Sequence, residues 1–320
     1  MMQNISSTSA HPSFWNATGT IDYRLTNDYM FRAVLQQSKS TLKSLIASLL
    51  HLAPESILSV EITNPIILGN TIDEKTFFLD IAVLLNNYLC INLEMQVLNE
   101  HNWTERSLNY LCRTFTAIPK GADYIDTNPA VHIGFLNFTP FPDIPEFYAT
   151  YQMLNIRNHH LYSDKFTLSV VDLTQIKLAT PEDKQFHIDR WATLFKATTW
   201  EDIKMLAKNH QELTEPAETL YQLNAEENIR LQCQARQDYY MYQTMTQNRI
   251  KQLEAALAES KTALTESKSA LADKDAALAE SESALADKDA ALADINAALA
   301  DKDALIHELT AKIRQLESDS

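Results

Sequence analysis

The sequence predicts a mixed α/β domain followed by one long helix. Three observations carry that expectation. Between residues 25 and 200 the hydrophobic spacing runs helix, strands, helix, strand, strand, helix, a succession that needs a sheet with helices packed on it. Only 4 glycines occur in 320 residues, too few for a turn-rich all-β chain. From residue 249 onward the chain is rich in Ala and Leu, with leucine at every seventh position.

Taken in order, residues 1–20 are polar and predict disorder. "LTNDYMFRAVLQ" (25–36) opens on Thr26 and Asn27 as helix caps, with Tyr29, Phe31, Val34 and Leu35 as a helical stripe. "STLKSLIASLLHL" (40–52) is amphipathic through Leu42, Leu45, Ile46 and Leu49, and Pro54 stops it. A strand-like stretch at 57–68 is interrupted by Pro65. Residues 77–96 read as two apolar strands joined by a short polar turn. Residues 103–118 are helical by Leu108, Leu111, Phe115 and Ile118. Strands are expected at 130–138 and 165–176, and a helix at 184–200 that continues through 201–248. The expected divisions are a disordered 1–20, a catalytic-type domain at 21–200, a helical extension at 201–248 and a heptad helix at 249–320.

In that last segment Leu257, Leu264, Leu271, Leu278, Leu285, Leu292 and Leu299 fall seven apart, between Ile250 and the pair Ile306 and Ile313. "SALADKDAALA" occurs twice, at 269–279 and 283–293. With these leucines at heptad position a, position d is apolar only near the ends, at Leu253, Ile295, Leu309 and Leu316; Ser and Lys fill the middle. A coiled coil needs both columns apolar, so self-association as a parallel dimer is expected near 295–316. A solvated spacer helix is the alternative.

Composition narrows the partners. The net charge is −15. From 249 on there are 9 basic and 15 acidic residues, which leaves 18 and 27 before it, so both parts are acidic. Bulk charge therefore does not attract nucleic acid, and contact with DNA requires a local basic patch or a metal ion. Cys90, Cys112 and Cys233 are too scattered for a zinc site or a disulfide framework. No apolar run approaches a membrane span, and the N-terminal residues lack the pattern of a signal peptide, so a cytoplasmic protein is expected.

The strands at 77–96, "FFLDIAVLLNNYLCINLEMQ", hold Asp80, Glu94 and Gln96 where burial is expected. Buried carboxylates are costly unless paired or metal-bound. Register decides whether these two meet. A two-residue turn at Asn86-Asn87 sets Asp80 against Leu93 and sends Glu94 to the other face. A three-residue turn, Asn86-Asn87-Tyr88, pairs Leu85 with Leu89 and sets Asp80 against Glu94, with Gln96 on the same face. Such a pair suits Mg²⁺. Strand-end residues facing solvent, or ion pairs with Lys75 and Arg106, are the plainer reading.

The same residues resemble the PD-(D/E)XK nuclease superfamily, and within it the recombination-promoting nuclease/transposase family. Asp80 stands where that family has an Asp ending one strand, and Glu94-Met95-Gln96 matches its E-x-Q on the next. "TNDYMFRAVLQ" is similar to its opening helix, with Asp28 as the acid and Arg32 in place of the usual Lys. "TERSLNYLCRTFTAIPKGADY", "VVDLTQIKLA" and "IDRWATLFK" resemble its later elements. The resemblance implies a restriction-endonuclease-like fold and an Mg²⁺- or Mn²⁺-dependent DNA endonuclease. It implies Asp80, Glu94 and the Met95 carbonyl as metal ligands. Gln96 replaces the superfamily's usual Lys and can orient water or a phosphate oxygen only by hydrogen bonds. Asp28 is either an outer carboxylate or a complement to its helix dipole. Lys75, Arg106, Arg113 and Lys120 are candidate DNA phosphate contacts, Arg106 and Arg113 falling on one helical face.

Overall fold

The structure is a computed structural model and describes residues 13–66, 80–115 and 123–318. A six-stranded mixed sheet, in the order β1-β2-β3-β4-β6-β5, is flanked by helices, and a very long helix follows. The chain divides into two units, Met1–Thr244 and Met245–Ser320.

Asn27 caps helix α1 (Asp28–Gln37), its side-chain oxygen accepting from the Tyr29 and Met30 N–H groups. Ser38 ends α1 and caps α2 (Lys39–Leu49), whose predicted stripe of Leu42, Leu45, Ile46 and Leu49 is buried. The chain then enters β1 (Val60–Ile62), β2 (Ile81–Leu85) and β3 (Leu89–Gln96), all antiparallel. Helix α3 (Trp103–Phe115) crosses over to β4 (Ala130–Leu136), which is parallel to β3. β5 (Tyr148–Leu154) and β6 (Leu161–Asp172) form a hairpin, with β6 parallel to β4. On one sheet face Ile81, Val83, Leu85, Ile91, Leu93 and Met95 join the main core with α1 and α2. Phe31 of α1 meets Phe135 of β4 at a ring separation of 5.3 Å.

Three expectations change. The last part of the segment expected to be disordered is ordered: Phe14 is completely buried and Thr20 bridges Thr199, because one aromatic side chain supplies an anchor that the polar average hides. The helix expected over 184–200 is two, α4 (Pro181–Gln185) and α5 (Ile188–Lys196), separated by His187 at φ 63°. Its continuation is also broken into α6 (Trp200–Asn209), α7 (Thr214–Ala225) and α8 (Glu227–Ser318), where His210 and Glu226 adopt extended backbone. Strand β5 escapes sequence reading because it is an edge strand that leaves most of its side chains exposed, without apolar alternation.

The first unit ends at Thr244, so α6, α7 and the beginning of α8 belong with the sheet. In the second unit the column of Leu257, Leu264, Leu271, Leu278, Leu285, Leu292 and Leu299 is exposed along an unbroken helix. Among the described residues no helix is long and apolar enough to cross a membrane.

Candidate active site

The turn between β2 and β3 decides the chemistry. Leu85 pairs with Leu89 and Ile81 with Leu93, the register of a three-residue turn. Asn86 and Asn87 hold it with φ of 50° and 55°, a left-handed conformation that Asn tolerates better than most residues. The Asn86 amide is also used: its oxygen accepts from the Leu58 and Ser59 N–H groups and its nitrogen donates to Ser56 O. Extending the ladder by one pair sets Asp80 against Glu94, on the face opposite the main core. Cross-strand partners of this kind lie about 4.5–5.5 Å apart at Cβ.

Asp80 is fixed through its main chain. Its carbonyl accepts from Arg32 of α1 and from Asn64 Nδ2 at 3.0 Å, while Asn64 Oδ1 accepts from the Ala82 N–H at 2.8 Å. Arg32 is fully buried beneath it and also donates to Asn64 O. Burial raises the Asp80 carboxyl above its ordinary pKa, and the opposing charge of Arg32 offsets only part of the rise.

Glu94 is more deeply enclosed. Oε1 accepts a hydrogen bond from Nε of Arg106 on α3 at 2.7 Å and is ion-paired with its Nη2 at 2.7 Å. Oε2 is buried and accepts none from the described residues. Burial again raises the carboxyl; Arg106 opposes the rise, and the nearby charges of Asp80 and Asp28 add to it. Directly across the parallel ladder from Glu94 stands Gly134, not a side chain. The Trp103 ring takes that space: a Cβ on Gly134 would sit 2.0 Å from Trp103 Cη2. Trp103 begins α3, so this close approach sets where the helix starts, and Arg106 follows three residues on.

A cleft of about 270 Å³ brings Asp28, Asp80, Glu94, Met95, Gln96 and Arg106 together with four residues not foreseen from sequence: Glu100, Arg236, Tyr239 and Tyr240. Asp28 sits at the start of α1, where an acid does complement the helix dipole. Its carboxylate nonetheless faces α8, accepting at Oδ1 from Arg236 Nε at 3.0 Å and at Oδ2 from Arg236 Nη2 and the Tyr240 hydroxyl. Burial works against the Arg236 cation, but the hydrogen bonds and charge of Asp28 outweigh it and raise the guanidinium pKa. Burial also raises the Tyr240 phenol, which stays protonated and able to donate. A sequence signal existed: Ile229, Cys233, Arg236 and Tyr240 share one helical face, whose first two members are buried.

Gln96 donates from Nε2 to Leu98 O at 3.1 Å, an accessible local bond at the cleft edge. Arg106, expected at DNA phosphates, is engaged with Glu94. Arg113 lines a neighbouring 610 Å³ groove that shares Asp80 with the cleft. Lys75 and Lys120 lie outside the described residues. Among the described residues no three His, Cys, Asp or Glu side chains form a ready-made metal cluster.

A mixed sheet that places an Asp and an E-x-Q side by side at the mouth of a cleft, with a capped helix beneath, defines the nuclease fold of the PD-(D/E)XK type. Residues 25–249 match the family model of the PD-(D/E)XK nuclease family transposase, and the chain belongs to that family. The match covers more than half of the chain and takes in Arg236, Tyr239 and Tyr240. No curated protein and no solved structure matches the chain.

Proposed function

We propose that the chain is a divalent-metal-dependent DNA endonuclease, in which Asp80 and Glu94 hold Mg²⁺ or Mn²⁺. The observation that carries this reading is the register of the β2–β3 hairpin, which points both carboxylates to one side of the sheet. The residues fit a hard cation. Such an ion takes one or two carboxylates and completes its shell with water and substrate oxygens, and Glu94 Oε2 is a buried oxygen that accepts no hydrogen bond from the described residues. The Met95 carbonyl is the third candidate ligand from the chain. When bound, the ion polarises the phosphodiester and acidifies a coordinated water.

The chain's own residues supply the rest. Gln96 turns an amide toward the water or a phosphate oxygen once it leaves Leu98 O. Asp28 acts as an outer carboxylate, held in place by Arg236 and Tyr240. Arg106 opposes the burial-driven rise of the Glu94 carboxyl and aligns it, and Arg113, with Lys75 and Lys120, contacts the DNA backbone. A cation in the cleft also offsets the local negative charge, which lets an acidic protein meet DNA at one point. Cleavage of this kind serves DNA recombination by mobile elements, in the cytoplasm. Two copies joined in parallel through residues 295–316 present two sites, one for each strand of a duplex; the exposed apolar column of the second unit supports that assembly.

Plasmid nicking in Mg²⁺ tests the reading. Wild type is expected to cut, while Asp80→Ala and Glu94→Ala fall to the metal-free background with unchanged far-ultraviolet circular dichroism. Cutting that persists in both variants removes the metal assignment. A second reading, a non-catalytic interaction protein on the same fold, is favoured by the two arginine–carboxylate pairs that occupy the cleft and by glutamine at position 96. Folded wild type that never cuts selects it. Light scattering on Leu299→Glu/Ile306→Glu tests the assembly: the dimer is expected to be lost, and an unaltered mass argues against it.

A further inference from the structure

His132, in the middle of β4 and close to Glu94, has no exposed surface. In the parallel ladder Asn92 pairs with His132 and Glu94 with Gly134, so Asn92, Glu94 and His132 share one sheet face. The Asn92 Nδ2 amide lies 3.0 Å from His132 Nδ1. A donor there requires Nδ1 to accept, which leaves the ring proton on Nε2. That Nε2 faces Glu94 Oε2 at 3.7 Å, and among the described residues neither atom has a hydrogen-bond partner.

Packing alone does not account for this arrangement. His132 stacks on Tyr110 at 5.7 Å and lies against Trp103, contacts that a phenyl ring makes equally well. Burying an imidazole and an amide beside a carboxylate is costly unless their polar atoms are used.

We propose that His132 is a positioning residue for the metal-binding carboxylate. It stands ready to donate from Nε2 to Glu94 Oε2, with Asn92 fixing its tautomer, so that Arg106 and His132 grip the two carboxylate oxygens separately. A small rotation of the Glu94 side chain closes the 3.7 Å gap. The second lone pair of Oε2 remains for the ion. The proposal rests on Glu94 being a metal ligand.

Calorimetric titration of the full chain with Mn²⁺ alone tests it. His132→Phe keeps the ring and removes both nitrogens; its Mn²⁺ affinity is expected to drop about tenfold or more, the usual effect of losing an outer-shell partner. His132→Gln places an amide N–H where Nε2 stood and is expected to stay within about threefold of wild type. Equal affinity in His132→Phe and wild type overturns the role of His132 while leaving the metal site standing. Equal losses in both variants also overturn it, since they reduce His132 to packing. Wild type that shows no Mn²⁺ binding sensitive to Glu94→Ala overturns the metal site and the proposal together. Should His132→Phe fail to fold, nitrogen-15 shifts of the wild-type imidazole decide: protonated Nε2 agrees with the proposal, and protonated Nδ1 refutes it.

Discussion

The two ends of the cleft solve one problem with different parts. At one end Glu94 meets Arg106, twelve residues away, on the helix that follows its own strand. At the other Asp28 meets Arg236 and Tyr240, more than two hundred residues away. The Glu94 pair leaves one carboxylate oxygen without a donor; the Asp28 pair uses both oxygens. A carboxylate with a spare buried oxygen has room for a further partner, whereas one bound at both can act only from the outside, as proposed for Asp28. The comparison thus assigns different work to two acids that look alike in sequence.

The largest expected effect breaks the Asp28 end. Arg236→Ala strips the charge partner from a buried carboxylate and is expected to cost about 3–5 kcal/mol of unfolding free energy. Arg106→Ala is expected to cost less, about 1–3 kcal/mol, because Arg106 is a quarter exposed and water reaches the gap. Urea midpoints measured side by side rank the two, and the reverse order ends the distinction. Next comes Gly134→Ala, which forces the Trp103 ring aside and shifts the start of α3. An overpacking loss of about 1–3 kcal/mol is expected, with a weakened Glu94–Arg106 pair; unchanged stability refutes the account of that close approach.

Asp80→Asn sharpens the contrast from the side of ionisation. The folded Asp80 pKa lies above its unfolded value, so its contribution to stability is complete below about pH 3.9 and is lost as pH rises through the folded value. At neutral pH the unfolded carboxyl is ionised, and the raised folded pKa makes Asp80 oppose folding. The Asn variant is therefore expected to be more stable at pH 7 by about 0.5–2 kcal/mol, with the gain shrinking toward pH 3. Thermal melts across that range check both sign and window. The smallest effect belongs to the turn: Asn87→Gly relieves a left-handed residue and is expected to change stability by no more than a few tenths of a kcal/mol. A large destabilisation would mean that the Asn87 side chain has a further task.

What could be read in advance follows the same division. Side-chain alternation restricted the β2–β3 hairpin to two registers, and the absence of an Asn-Gly turn signal left the observed one open. Asn27 as cap and the α2 stripe were legible because the physics is local. Arg236 and Tyr240 were legible only as an extension of the apolar face of Ile229 and Cys233, since nothing near them in sequence shows what faces that side of α8. Arg32 was visible only as a departure from a pattern, because its task is main-chain hydrogen bonding to Asp80 across 48 residues. His132 read as one more position in an apolar strand.

The hairpin has a consequence for descent. Its two strands send Ile81, Val83, Leu93 and Met95 into the core and Asp80 and Glu94 the opposite way, so one parity governs both sets. An insertion or deletion of a single residue in the turn would upset the hydrophobic side as badly as the acidic one. Lineages are therefore free to vary this loop only in steps of two. Purifying selection for folding alone then preserves the convergence of the acids, whatever use a descendant makes of them.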